Sequence, residues 1–327
     1  TLHYGLVKGE ILMKIRLTTC LLSLLVIFTG SVASAEWKAN KPITMMVMFP
    51  PGGGGDTLGR ATAAFMEKML GNKIVVENRR GGGGAAMAKV LVKRKPDGYT
   101  IGMGVTETFS FAPVLNPKIG YDASDFTHLG SIANTQVGLV AKTSNPWKDL
   151  NDLVAAAKSG QKITVGTFSP MSKIIMTLVA KHFDAPFKLV PVRGGRAGIK
   201  NVMGGHISAT LVAGPQAPFV RKGQLRVLAS AEPDRLLVGK DAKTFTEYGV
   251  KNAFFNTKWM FSAPKGLAPN IVKAFSDALE EATKDKKLIG LITNKLNLRL
   301  EFTPADKLLK IIEQKQINGK ARIKLVR

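Results

Sequence analysis

Apolar and polar positions alternate along this chain in a repeating order. Ile43–Phe49 (ITMMVMF) is a continuous apolar run ended by Pro50-Pro51 and four glycines. Such a run reads as a strand buried on both faces of a parallel sheet. Asp56–Leu70 (DTLGRATAAFMEKML) then places apolar residues at helical spacing, with Gly71 as a stop. Lys73–Glu77 reads as a second strand, and Gly81–Gly84 opens a helix over Ala85–Lys93. After the turn Pro96-Asp97-Gly98, Tyr99–Val105 is a third strand. Strand, glycine loop and helix, given twice and closed by a strand, is a doubly wound α/β unit.

The theme returns further on. Gln136–Ala141, Ile163–Gly166, Phe187–Pro191, Ala209–Val212 and Leu225–Ala229 read as strands, with helices at Trp147–Ser159, Ser172–Phe183 and Gly198–Met203. Trp259–Ala263 is one more strand, and then the pattern turns helical over Pro269–Thr283, Lys286–Leu296 and Pro304–Gln316. Two α/β units followed by a helical tail predict two lobes joined by short crossing strands. The C-terminal helices are expected to pack back on the first lobe.

The segment before the first strand has a different character. Met13, read as the natural start, is followed by Lys14 and Arg16, an apolar run from Cys20 to Phe28, and Ala33-Ser34-Ala35. Basic, apolar and small-residue parts in that order form a secretory signal with cleavage after Ala35. The run is too short for a membrane anchor, which needs roughly 20 apolar residues. Cys20 stands at the start of the apolar run rather than after it, so it does not mark a lipoprotein. Export to the periplasm is expected, which argues against ATP, NAD and DNA as natural partners.

Length and composition sharpen this. A chain of 327 residues suits about two domains, and 45% hydrophobic with 21% charged residues excludes wholesale disorder. Net charge is +24, and removing residues 1–35, with three basic residues and one acidic, leaves +22. That excess favours an anionic partner. The single Cys excludes a disulfide framework and a thiolate zinc site, and none of the four His residues forms a His-x-x-x-His pair. No metal and no cofactor are expected.

Four constellations could bind or react. The first is Pro50-Pro51-Gly52-Gly53-Gly54-Gly55-Asp56-Thr57, between a strand and a helix. Glycine admits close backbone approach, and a helix N-terminus favours a carboxylate or phosphate. Asp56 or Thr57 can cap that helix. Gly54-x-x-x-x-Gly59 is followed by Arg60-Ala61, so the Lys-Ser/Thr of a phosphate-binding P-loop is missing. The second, Gly81–Gly84, resembles a dinucleotide fingerprint with Glu107 as a ribose acid, but Arg79-Arg80 interrupt it and a structural turn is the better reading. The third, Gly166–Ser172, offers hydroxyls and helix N–H groups to a carboxylate. The fourth, Val190–Arg196, is a basic turn that suits solvent or ligand equally. Catalysis finds no support: there is no Gly-x-Ser-x-Gly elbow, no Cys-His pair and no paired-carboxylate cleft. His182 and His206 read as surface or packing residues.

Taken in order, these motifs resemble the substrate-binding proteins of tripartite tricarboxylate transporters, the Bug family. The resemblance is carried by Lys41-Pro42-Ile43 and the Phe49–Asp56 loop, by Val76-Glu77-Asn78-Arg79 with Gly81–Gly84, and by Pro96-Asp97-Gly98-Tyr99-Thr100. Asp125-Phe126-Thr127, Val190–Gly195, Met203–His206, Lys222–Arg226 and Trp259–Gly266 continue it. It implies a two-lobed periplasmic-binding-protein fold, Venus flytrap and type II-like, with doubly wound α/β lobes. Residues 36–137 with 256–327 would form one lobe and 138–255 the other.

The resemblance further implies a monomeric, non-catalytic protein that captures a small carboxylate and delivers it to an integral-membrane permease. It implies ligand contacts from Phe49, Gly53, Gly54, Gly55, Asp56 and Thr57 in the first loop, and from Thr106 and Thr108 after the third strand. Thr167, Phe168, Ser169 and Ser172 would contribute from the second lobe, with Arg193, Gly194 and Gly214 from later turns. The second-lobe loop departs from the family's Gly-Ser-x-x-His form, carrying Pro170-Met171-Ser172. The rival reading is a basic polyanion or nucleic-acid binder. Against it, basic residues are widely spread and aromatics for base stacking are only 7%.

Overall fold

The structure is a computed structural model that describes residues 37–326. The signal-like segment and its Ala35 junction lie outside the described residues. From Trp37 onward the chain builds two sheets, each wrapped by helices.

The first sheet has six strands in the order β11-β4-β10-β3-β1-β2. These are β1 (Ile43–Val47), β2 (Ile74–Asn78), β3 (Thr100–Val105), β4 (Phe126–Asn134), β10 (Lys258–Pro264) and β11 (Arg299–Pro304). β1 pairs in parallel with both β2 and β3, setting Met45 opposite Val76 and Ile101. Paired on both sides, β1 lies inside the sheet, which explains its unbroken apolar run: Met45, Met46 and Val47 are all buried. β10 and β4 run antiparallel in the other half of the sheet. The second sheet has five strands in the order β7-β6-β8-β5-β9, formed by β5 (Val137–Lys142), β6 (Thr164–Thr167), β7 (Lys188–Pro191), β8 (Ala209–Ala213) and β9 (Leu225–Ser230).

The chain passes from the first sheet to the second between Asn134 and Val137 and returns between Ser230 and Lys258. Glu232 ties these crossings together. Its carboxylate accepts from Val137 N (3.0 Å), the Thr135 hydroxyl (2.9 Å) and Asn256 N (2.8 Å). Burial pushes its pKa up to about 7, against those hydrogen bonds and the Lys315 charge.

Three features differ from the sequence reading. β4 and β11 were absent from it. β4 (FTHLGSIAN) buries Ser131 and His128 at its centre, so its hydrophobic run is broken. β11 (RLEFTP) is an edge strand with little buried surface. The helix expected over Lys286–Leu296 stops at Gly290, continues as a π-helical turn over Leu291–Lys295, and ends at Asn297 in the left-handed region (φ 52°). The last helix spans Ala305–Val326, ten residues beyond the expected end. Its first half buries Leu308 and Ile312 on the first lobe, while Ile323 and Val326 pack against the core of the second. The C-terminal helix therefore touches both lobes. Among the described residues, no helix is long and apolar enough to cross a membrane.

Candidate ligand-binding cleft

A cavity of about 850 Å³ opens between the lobes, at the carboxyl ends of β1, β3 and β8. Open α/β sheets bind ligands at such strand ends. The first lobe contributes Phe49, Gly53–Gly55, Trp259 and Leu296. The second contributes Arg196, Ile199, Gly214 and Phe219. A second cavity, about 460 Å³, lies beside the crossing segments. Of the cations lining it, Lys258 donates to Glu301 (2.6 Å) and Asn134 (3.2 Å), and Arg299 donates to Arg235 O (2.8 Å).

The first glycine loop is shaped by what surrounds it. The helix begins at Gly54, with Gly53 as an extended N-cap and no side-chain cap. Neither Asp56 nor Thr57 caps it, because the helix starts two residues earlier than its apolar pattern suggests. The Gly54, Gly55 and Asp56 N–H groups consequently find no acceptor among the described residues. Only Gly52 in this loop is left-handed (φ 73°). Gly55 is required for space: a Cβ there would run into the Phe49 ring. That ring stacks on Trp259 with centroids 4.7 Å apart.

Asp56 faces away from the cleft lining. Its carboxylate accepts from Gly52 N (2.9 Å), Arg60 Nε (3.0 Å) and Asn78 Nδ2 (2.8 Å), which pins the loop to β2. Burial would raise its pKa, but the Arg60, Asn78 and Gly52 hydrogen bonds outweigh burial and hold it below the ordinary value. The cleft's own charges are cationic. Arg196 and Lys295 line it from opposite lobes, and neither has a hydrogen bond or ion pair among the described residues.

The structure brings together five of the residues that the resemblance singles out: Phe49, Gly53, Gly54, Gly55 and Gly214. The others lie outside the cavity lining. Thr57 donates to Gly53 O (3.0 Å). Thr106 is buried, accepting from Lys258 N (3.1 Å) and donating to Glu107 (3.2 Å). Thr108 is buried and donates to Gly83 O (2.9 Å). Thr167 donates to Val190 O, and Phe168 stacks on Phe255 at 5.7 Å. Ser169 and Ser172 form a capping box at the start of the Pro170–Phe183 helix, so each hydroxyl is occupied by the other residue. Arg193 is exposed, and Gly194 (φ 84°) caps the Gly195–Met203 helix.

Sequence reasoning missed Ile199, Phe219 and the Lys295–Leu298 wall. Nothing in their types signals a ligand. The π-helical turn that swings Lys295 and Leu296 into the cleft depends on tertiary packing, and π-turns recur at functional sites. Leu296 also meets the other lobe, since a Cβ at Gly214 would lie 3.0 Å from its carbonyl oxygen. Among the described residues no group of three or more His, Cys, Asp or Glu side chains could hold a metal ion.

Comparison with known proteins agrees with this architecture. A structure of a TctC solute-binding protein from Polaromonas superposes with a TM-score of 0.75 at 22% identity, covering 88% of this chain and 99% of that one. MatC from Rhodopseudomonas palustris, with bound malate, gives 0.72 at 23% identity, covering 87% and 99%. Protein BugT of Bordetella pertussis is 27% identical over 286 residues, 83% of this chain and 86% of BugT. Residues 58–324 match the family described as Tripartite tricarboxylate transporter family receptor. That match takes in every strand but β1 and most of the cleft lining outside the first glycine loop, and the chain belongs to the tripartite tricarboxylate transporter receptor family.

Proposed function

We propose that this protein captures a small carboxylate between its lobes in the periplasm and hands it to integral-membrane permease subunits. The observation that carries the reading is the cleft's complement of unmet donors. Unpaired N–H groups at the start of a 17-residue helix face a space that Arg196 and Lys295 border from opposite lobes. Each is suited to a carboxylate oxygen, and together they reward a ligand that touches both lobes. Such a ligand shifts the population towards a closed arrangement. The net positive charge of the chain accelerates encounter with an anion. The structural relative with bound malate supports a carboxylate as the class of ligand. The cleft offers no nucleophile with an adjacent base, so we assign it binding and no reaction.

Thermal melting of the protein lacking residues 1–35 against mono-, di- and tricarboxylates tests this. Ligand at a hundred times its dissociation constant adds about 2.7 kcal/mol. For a chain of this size the melting point is expected to rise by roughly 5 °C or more. A rise with heparin or DNA and with no carboxylate would replace this reading by the polyanion-binding one.

A further inference from the structure

We propose that the preferred cargo is a carboxylate carried on an apolar body of aromatic size, rather than a compact polyhydroxylated di- or tricarboxylate. This rests on the reading above that the cleft binds a carboxylate, and it names the subclass.

Three observations point the same way. First, the cleft lining holds a single side-chain hydroxyl among the described residues, that of Thr135, and it already donates to Glu232 (2.9 Å), while Thr106, Thr108, Thr167, Ser169 and Ser172 lie outside the lining. Second, the walls are apolar on both sides. The Phe49–Trp259 stack and Leu296 face Ile199, Pro215 and Phe219 across the gap. A carboxylate set against those walls, away from Arg196 and Lys295, would be desolvated without a partner, whereas an aromatic body would bury about 150–250 Å² of apolar surface there. Third, the space is generous. About 850 Å³ lies in the upper part of the range used for drug-sized ligands.

The polar features that remain suit one end of such a molecule. Gly54 adjoins Leu296, since a Cβ there would sit 3.4 Å from the Leu296 side chain, and both line the cleft with Gly55 and Lys295. The Trp259 indole N–H is buried in the wall and has no acceptor among the described residues.

Calorimetric titration compares two sets: benzoate, phenylacetate, 3-phenylpropanoate and terephthalate against succinate, malate and citrate. The tightest arylcarboxylate is expected to bind at least tenfold more tightly than the tightest member of the aliphatic set. Phe219→Ala, on a half-buried five-residue helix, is expected to weaken the arylcarboxylate at least threefold more than it weakens the aliphatic acids. Equal or tighter binding of the aliphatic set overturns this proposal and leaves the carboxylate-binding reading standing. Unchanged arylcarboxylate affinity in Phe219→Ala also overturns it. Absence of binding by either set removes both.

Discussion

Gly55→Val is expected to weaken carboxylate binding by at least a hundredfold. The backbone of Gly55 is helical and tolerates a side chain, so the effect comes from space alone. Any Cβ at this position enters the Phe49 ring, and Phe49 is stacked on Trp259 in the cleft wall. The ring must swing into the cavity, where it occupies the ligand's place and screens the helix N–H groups. Overpacking of this kind costs about 1–3 kcal/mol in a tight core, and less where a half-exposed ring can move. The variant should therefore fold and fail to bind. Gly54→Ala is the control, because its Cβ meets only the flexible Leu296 side chain at 3.4 Å. Its affinity should stay within about threefold of wild type, which corresponds to roughly 0.7 kcal/mol. Calorimetry with a carboxylate found by the melting panel reads both variants. Wild-type affinity in Gly55→Val, or equal damage in the two, would move the ligand away from this loop.

The largest stability effect is expected at Glu232. Glu232→Ala leaves Val137 N, Asn256 N and the Thr135 hydroxyl without their acceptor in a buried crossing between lobes. At about 1–2 kcal/mol for each of the three groups, the lower part of the range for an orphaned donor because the Thr135 hydroxyl keeps Thr257 O at 3.4 Å, the loss should reach roughly 3–6 kcal/mol. That lowers the melting point by about 8–15 °C. The same carboxyl gives a pH dependence. Its pKa rises from 4.5 to about 7 on folding, because burial penalises the charge. The fold then holds the proton more tightly than the unfolded chain does. The associated stability is fully present below about pH 4.5 and is lost as pH rises towards about 7. The slope is at most about 1.4 kcal/mol per pH unit. Glu232→Gln cannot titrate, so the wild type's lead over it should shrink across that window. Parallel stability curves from pH 4.5 to 7 would mean that Glu232 keeps an ordinary pKa in the fold.

What the sequence revealed follows from how locally each feature is encoded. β1, β3 and the Gly54–Leu70 helix were legible because burial on both faces, or on one helical face, writes itself as an unbroken or periodic apolar pattern. β4 was not, because its interior holds buried polar residues, His128 and Ser131, that break the apolar pattern. His128 contacts the Ser262 hydroxyl at 2.9 Å, and burial lowers the His128 pKa to about 4, so it stays neutral. The first glycine loop was recognisable as a candidate anion site that borders the cleft, but which glycine serves which structural purpose was not. The left-handed turn belongs to Gly52 and the steric demand to Gly55, and both depend on where Phe49 comes to rest. The hydroxyl residues of the second lobe read as ligand contacts from their type. In the fold, Ser169 and Ser172 satisfy each other, a local capping preference that the spacing S-x-x-S itself carried. Lys295 and Leu296 reach the cleft through a π-helical turn, and no apolar periodicity announces that.

The central claim is that a carboxylate sits between the lobes against the start of the Gly54–Leu70 helix. A crystal structure of the protein lacking residues 1–35, grown with the tightest carboxylate from the titrations, tests it most directly. The account predicts ligand density in the cleft, with a carboxylate oxygen within about 3.2 Å of the Gly54 or Gly55 nitrogen, directly or through one water, and with Arg196 or Lys295 turned towards it. Density for that ligand elsewhere, with the cleft beside Phe49 and Trp259 holding only solvent, would contradict it.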